Sequence, residues 1–501
     1  MGCSHFLYAV SWPHRNRLEQ KLALTFDRIQ SDTIAAIATS TAEAGIGIVR
    51  LSGPDAFSIT GNIFRNQEGK AVSISGWKSA TIHYGFIVDP DAEDEKLDEV
   101  LVSILRSPHS YTTEDTIEIN THGGSYVEHR VLELVLRKGA RLAEAGEFTK
   151  RAFLGGRIDL SRAEAVMDLI RSQNEFARKT SLACLEGSVE AKVKKLRSGL
   201  LYEIAFIESA LDDPENYSLE GYPSKLDHIL TEMIDELDRL LLFSKSGRVL
   251  TEGIDTVIAG KPNAGKSSLL NELSGSERAI VTEIAGTTRD TLEETVRIRD
   301  DYDSEILLHL TDTAGIHNTA DAVEKIGVQR ALKAIEHAQL ILFVLDISRE
   351  LNEEDIRIAE KLKSFGTRKK TIALLNKSDL PGRITKEDVR NIIPDSSPVI
   401  SISLETGMGI RELKNEISRM FRLGDIQNSN EVFLANIRQC TLAQDARDSL
   451  ALVRQSIRKG MPEDFFSIDL RNAYTSLGLI IGEEVEDDLV NEIFSRFCLG
   501  K

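Results

Sequence analysis

From residue 32 to about 153, short apolar runs alternate with polar turns: Thr33-Ile-Ala-Ala-Ile-Ala, Gly47-Ile-Val-Arg-Leu, Ala80-Thr-Ile-His-Tyr-Gly-Phe-Ile-Val, Val100-Leu-Val-Ser-Ile-Leu and Thr116-Ile-Glu-Ile-Asn. Such runs predict β-strands, and one apolar helical stretch between Tyr126 and Lys138 makes the segment an α+β unit. The period then changes from two to 3.6. Ala163, Val166, Met167 and Ile170 share one helical face, as do Leu200, Ile204, Ile207 and Leu211, and then Leu226, Ile229, Leu230, Met233 and Leu237. Asp213-Pro214 and Tyr222-Pro223 interrupt these helices, which run to about Gly247. From Gly253 to about Phe421 strands alternate with helices, the pattern of βαβ crossovers and a parallel sheet. A second helical stretch follows, with stripes at Leu442, Ala446, Leu450 and Val453, at Leu470, Ala473 and Leu477, and at Leu489, Ile493 and Phe497. Neither helical block reads as an independent domain, so the tail is expected to pack on residues 155–250, with the α/β segment inserted. The expected boundaries are 1–31, 32–153, 154–250, 251–421 and 422–501.

The α/β segment carries the strongest chemical signal. Gly260-Lys-Pro-Asn263-Ala264-Gly265-Lys266-Ser267 is a GxxxxGK[ST] loop between the apolar run Thr256-Val-Ile-Ala and the helical Ser268-Leu-Leu-Asn-Glu-Leu. Its glycines let backbone N–H groups wrap phosphates at a helix N-terminus. Lys266 is then placed to meet the β- and γ-phosphates and Ser267 to meet Mg²⁺. Ile306-Leu-Leu-His-Leu-Thr leads into Asp312-Thr313-Ala314-Gly315, a DxxG. Thr371-Ile-Ala-Leu-Leu ends in Asn376-Lys377-Ser378-Asp379, and Val399-Ile-Ser-Ile-Ser403 supplies a fifth, degenerate element. Each motif follows a strand's carboxyl end, where open α/β sheets bind ligands. Asp379 selects the base, because a carboxylate accepts from both N1–H and the exocyclic amine of guanine, whereas adenine presents a bare N1 acceptor. A site of paired polar contacts rejects the wrong ligand by about 10⁴-fold. The reading is a GTP site.

The loop Val281-Thr282-Glu283-Ile284-Ala285-Gly286-Thr287-Thr288-Arg-Asp reads as a first switch offering a Thr hydroxyl to Mg²⁺. Ras-type GTPases place a Gln just after DxxG to orient the attacking water; that position is Ile316 here, leaving His317, Asp321 and Glu324 as candidates.

Charge narrows the choice of partners. The 501 residues carry 61 basic and 79 acidic groups, 61 − 79 = −18, which excludes a protein that coats nucleic acid through bulk positive charge; any RNA contact must be local or shared with a partner. Four cysteines, none in a CxxC pair, exclude a disulfide framework and fit a reducing cytosol. No apolar run approaches the roughly 18 to 20 residues of a membrane span, so a cytoplasmic protein without membrane contact is expected. Residues 1–31, with Arg15 and Arg17 but no signal h-region, read as a disordered extension.

Several signatures together resemble the MnmE (TrmE) family of tRNA-modification GTPases from about Asp32 to the last residue: Gly47-Ile-Val-Arg50-Leu-Ser-Gly, Gly146-Glu-Phe-Thr-Lys-Arg-Ala-Phe-Leu154, the loop from Gly260, the switch Gly286-Thr-Thr-Arg-Asp and the terminal Phe497-Cys498-Leu499-Gly500-Lys501. The resemblance implies a multidomain α/β and α+β protein: an N-terminal α+β tetrahydrofolate-binding and dimerisation domain, a helical domain and an inserted Ras-like P-loop G domain. It further implies K⁺-dependent hydrolysis, with K⁺ on the Asn263 and Thr287 side chains and the Thr282 and Ile284 carbonyls, Mg²⁺ on Ser267 and Thr288, and Glu324 positioning the attacking water. A 5-formyl- or methylene-tetrahydrofolate would bind Arg50, Glu118, Arg157 and Lys501. The implied partners are a second copy, an FAD-dependent protein of the MnmG (GidA) type in a heterotetramer or larger complex, and tRNA. Cys498 offers either a nucleophile for the modification chemistry or a packed neighbour of Phe497, Gln439 replaces an expected His, and His122 reads as a surface turn residue. The rival readings are a ribosome-assembly or regulatory GTPase, which predicts a basic module where the tail holds Glu483-Glu484-Val-Glu486-Asp487-Asp488, and a folate-binding scaffold with a vestigial switch, which predicts damaged nucleotide motifs.

Overall fold

The computed structural model describes residues 32–40, 42–275, 293–301, 305–312, 336, 338–366, 369–421, 432–483, 485, 487–498 and 500. The expected extension 1–31, Thr282 to Thr288, Thr313 to Gly315, His317, Asp321, Glu324 and Lys501 lie outside them, and Asp312 is described by its backbone alone. The chain divides into two compact units, one comprising 1–167, 184–227 and 448–501, the other 168–183 and 228–447.

The first unit begins with strands β1 (Ile34–Ile37), β2 (Gly47–Ser52), β3 (Phe64–Asn66), β4 (Thr81–Asp89), β5 (Glu95–Leu105), β6 (Thr116–Thr121) and β7 (Arg141–Leu142) in the order β3-β4-β5-β6-β2-β1-β7. Every neighbouring pair is antiparallel except β1 with β7. Helices α1 (Ala56–Ile63) and α2 (Ser125–Arg137) contribute Ile59, Val131 and Val135 to the core that Val49, Leu51, Val102, Ile117 and Ile119 form on one face. Alternation along the strands puts Ala36, Arg50 and Glu118 side by side across β1, β2 and β6 on the other. Helix α3 (Glu147–Leu154) sets Phe148 into a small cluster with Ile34, Ala36 and Ala143 there.

Helices α4 (Leu160–Arg171), α5 (Glu175–Leu185), α6 (Ser188–Asp212) and α7 (Tyr222–Glu252) follow. Pro223 sits in the first turn of α7, where its missing N–H costs nothing. The helix continues to Glu252, five residues past the expected end: Gly247 lies within it, and the ring of Phe433 occupies the space its Cβ would take.

Helix α8 (Lys266–Gly275) opens the nucleotide-loop region of the second unit, α9 (Glu353–Phe365), α10 (Lys386–Ile392) and α11 (Ile410–Met420) accompany its sheet, and α12 (Ile437–Arg458), α13 (Asp464–Ile481) and α14 (Asp487–Ser495) form the tail. Within the first unit Arg197 of α6 stacks 3.9 Å from the Tyr474 ring of α13 and pairs with Glu483. In the last stripe Phe497 and Ile493 pack against the cluster of Leu160, Ala163 and Met167 as expected, whereas Leu489 is exposed and Val490 and Phe494 complete the buried face. The Phe494 ring, 1% exposed, sits between Phe153 and Phe497 in this cluster. Ile170 and Leu211, at the ends of their helices, are likewise exposed.

The second unit holds β8 (Ile254–Ala259), β9 (Glu293–Arg299), β10 (Glu305–Asp312), β11 (Leu340–Asp346), β12 (Lys370–Asn376) and β13 (Val399–Ser401) in the order β13-β12-β11-β8-β10-β9. Only β9 runs antiparallel, against β10. Ile258, Leu308, Leu342 and Leu374 fill one face and Val257, Ile341, Phe343 and Ala373 the other, which is why these strands read as nearly continuous apolar runs. The chain crosses to opposite sides of β8 on its way to β10 and β11, so the loop after β8 stands at the sheet's switch point.

Candidate functional site

Ala259 and Phe343, Asp346 and Asn376, and Leu375 and Ser401 are paired in register, so β8, β11, β12 and β13 end at one edge. A cavity of about 850 Å³ opens there, lined on one side by Asn263, Gly265, Lys266, Ser267 and Ser268 and on the other by Asn376, Lys377, Asp379 and Leu404. The loop's shape depends on left-handed backbone. Gly260 has φ 149°, Asn263 φ 61° and Gly265 φ 106°, and a Cβ on Gly265 would collide with the Asn376 amide. That amide donates to the Ala264 carbonyl at 2.8 Å, tying the phosphate loop to the end of β12. The buried Lys266 ammonium donates to the carbonyls of Gly260 at 2.8 Å and Lys261 at 2.9 Å, so it is held across the loop's mouth. Ser267 and Ser268 are exposed in the first turn of α8 and line the cavity.

On the base side, Ser403 donates to Asp379 Oδ1 at 2.5 Å, fixing a carboxylate that lines the cavity. Lys377, with φ 63°, donates to Asp346 Oδ2 at 2.7 Å. Burial disfavours the Asp346 charge, but Lys377 and Ser348 outweigh it and hold the carboxyl below the usual range. The hydroxyl of Ser267 and the side-chain carbonyl of Asn263 are hard oxygen donors beside the phosphate loop, a set that fits Mg²⁺ and K⁺ respectively.

A second constellation lies on the first unit's sheet. Arg50 donates from Nε to Glu118 Oε1 at 2.9 Å and from Nη1 to the Gly500 carbonyl at 3.2 Å. The guanidinium of Arg157 lies 5.0 Å from the Tyr111 ring centroid and donates to the Tyr111 carbonyl at 2.9 Å, while Arg50 lies 6.0 Å from the same ring and 5.6 Å from that of Phe148. Burial pushes the Tyr111 phenol up, against the pull of Thr149 and the two guanidiniums. The result is an aromatic floor flanked by two cations and one carboxylate, which suits a flat heterocycle carrying both N–H groups and carboxylates.

Residues 33–157 match the family description "GTP-binding protein TrmE N-terminus" and residues 160–498 match "MnmE helical domain". The tRNA modification GTPase MnmE of Lachnoclostridium phytofermentans is 52% identical over 473 residues, 94% of this chain and 100% of its own. Those of Bacillus subtilis and Thermoanaerobacter pseudethanolicus are 45% and 46% identical over 94% of this chain, covering 100% and 99% of theirs. The chain belongs to the MnmE family.

Of the MnmE-type site residues expected from sequence, the structure brings Asn263 to Ser268 together with Asn376, Lys377, Asp379 and Ser403, and separately gathers Arg50 and Arg157 around Tyr111 with Glu118 paired to Arg50. Tyr111, Phe148 and Thr149 were missed; Phe148 and Thr149 sit inside the Gly146-to-Leu154 signature, whereas Tyr111 carries no local signal. Cys498 is exposed rather than packed. Gln439 is buried, its side-chain oxygen accepting from Ala435 N–H at 3.1 Å, and His122 is a surface residue paired with Asp98 at 2.6 Å. No described helix is long and apolar enough to cross a membrane.

Proposed function

We propose that this chain is a K⁺-stimulated GTPase which, with an FAD-dependent partner of the MnmG type, adds an aminomethyl or carboxymethylaminomethyl group to C5 of the wobble uridine of certain tRNAs. The observation that carries the nucleotide part is the cavity that joins the Lys266 loop to Asp379; family membership supports the tRNA part. Lys266 neutralises phosphate charge, the loop N–H groups and the start of α8 orient the phosphates, and Asp379 reads the base. Ser267 and Thr288 would hold Mg²⁺, which supplies charge neutralisation at the phosphates. Asn263, Thr282, Ile284 and Thr287 would hold K⁺, a fixed positive charge where charge develops in the transition state. Glu324 would position the attacking water. Arg50, Glu118, Arg157 and Lys501 would bind the tetrahydrofolate that supplies the one-carbon unit. A homodimer working in the cytoplasm is part of this reading. Mass spectrometry of tRNA nucleosides from cells lacking the chain tests it: the C5-modified wobble uridines disappear and return with the intact gene, and an unaltered nucleoside profile contradicts it.

A further inference from the structure

One side chain of the phosphate loop has no part in the scheme above. Lys261 follows the loop's first glycine, yet its side chain is only 10% exposed, and its ammonium lies 2.7 Å from Oδ2 of Asp355, whose side chain is 1% exposed. Asp355 is the third residue of α9 and belongs to its capping box: the Asn352 N–H donates to the same Oδ2 at 3.3 Å, and Asn352 Oδ1 accepts from the Asp355 N–H at 3.0 Å. The other carboxylate oxygen, Oδ1, is buried without a hydrogen-bond partner among the described residues. The main chain of Lys261 faces the nucleotide machinery, because its carbonyl accepts from the Lys266 ammonium at 2.9 Å and from the Ala264 N–H at 3.3 Å.

A buried ion pair is a poor source of stability, since desolvating two charges costs about as much as their attraction returns. This one spans from the first turn of a helix to the residue whose carbonyl seats Lys266. We infer that Asp355 is a positioning residue for nucleotide binding: acting through Lys261, it pins the start of the phosphate loop to α9 so that Lys266 and the loop N–H groups stand in their phosphate-binding arrangement before the ligand arrives. A loop without that anchor must be ordered by the nucleotide itself, and the ordering subtracts from affinity. The inference rests on reading residues 260–267 as a phosphate loop.

The test compares the full chain with Asp355→Asn and with the apolar pair Lys261→Met, Asp355→Leu, measuring GDP and GTP affinity, KM, kcat and thermal midpoint. Both variants raise the KM and both Kd values by on the order of ten- to a hundredfold, with kcat at saturating GTP unchanged. The apolar pair does so while recovering the thermal midpoint that Asp355→Asn loses. Wild-type affinity in the apolar pair overturns the inference, as does, should that pair not fold, an unchanged KM in Asp355→Asn with a lowered midpoint. A wild-type chain that binds neither GDP nor GTP overturns the phosphate-loop reading itself, so the two failures are distinguishable.

Discussion

The nucleotide cavity is built largely from backbone and the Arg50–Glu118 constellation from side chains. In the former, three left-handed residues, a helix start and two carbonyls do most of the positioning, and the Lys266 ammonium is itself held by those carbonyls. In the latter, long guanidinium side chains from β2 and from the turn after α3 converge on aromatic rings, and no backbone turn sets the shape. A backbone-built site tolerates little substitution because any added Cβ deforms it, whereas a site of side chains loses its contacts one at a time.

Lys266→Ala is the strongest way to break the first site: GTP turnover falls by at least about a hundredfold, read in a phosphate-release assay, and a smaller loss would move the phosphate contact elsewhere. Asn263→Gly sharpens the point, because it removes the side chain proposed to hold K⁺ while accepting the left-handed backbone at φ 61°. Turnover in K⁺ then drops to its value in Na⁺ while GDP affinity is retained; persistent K⁺ stimulation would contradict the assignment. In the second site Glu118→Ala weakens 5-formyltetrahydrofolate binding by about tenfold in calorimetry, the worth of one charged hydrogen bond, and unchanged affinity would leave Glu118 as only a partner for Arg50.

The smallest effect is on stability. Glu147 of α3 is buried, which opposes its charge, but Arg141, the Glu144 N–H and Arg151 prevail and hold its carboxyl below the ordinary 4.5. A carboxyl lowered by folding contributes its full stability above that value and loses it as pH falls through the lowered one. The first unit's melting temperature therefore falls below about pH 4.5 in wild type, and Glu147→Gln flattens that slope; an unchanged slope would show that the pairs with Arg141 and Arg151 do not couple to folding.

The same contrast explains what the sequence made legible. Gly260 to Ser267 and Asn376 to Asp379 are contiguous because the backbone itself forms the site, and their strands announce themselves as apolar runs because both faces are covered. Arg50, Tyr111, Glu118, Phe148 and Arg157 come together only through strand register and the seating of α3, so the charged members were found through resemblance and Tyr111 not at all. In the last stripe Ile493 and Phe497 were legible but Leu489 was not, because helical period alone does not choose between neighbouring apolar residues; the space beside Leu160 and Met167 does, by admitting Val490 and Phe494.

The central claim is that Asp379, held by Ser403, makes this a guanine site. Competition of unlabelled GTP and ATP against a fluorescent GDP on the full chain tests it most directly. The account predicts that GTP displaces the probe at concentrations about 10⁴-fold lower than ATP, and displacement by the two at similar concentrations would contradict it.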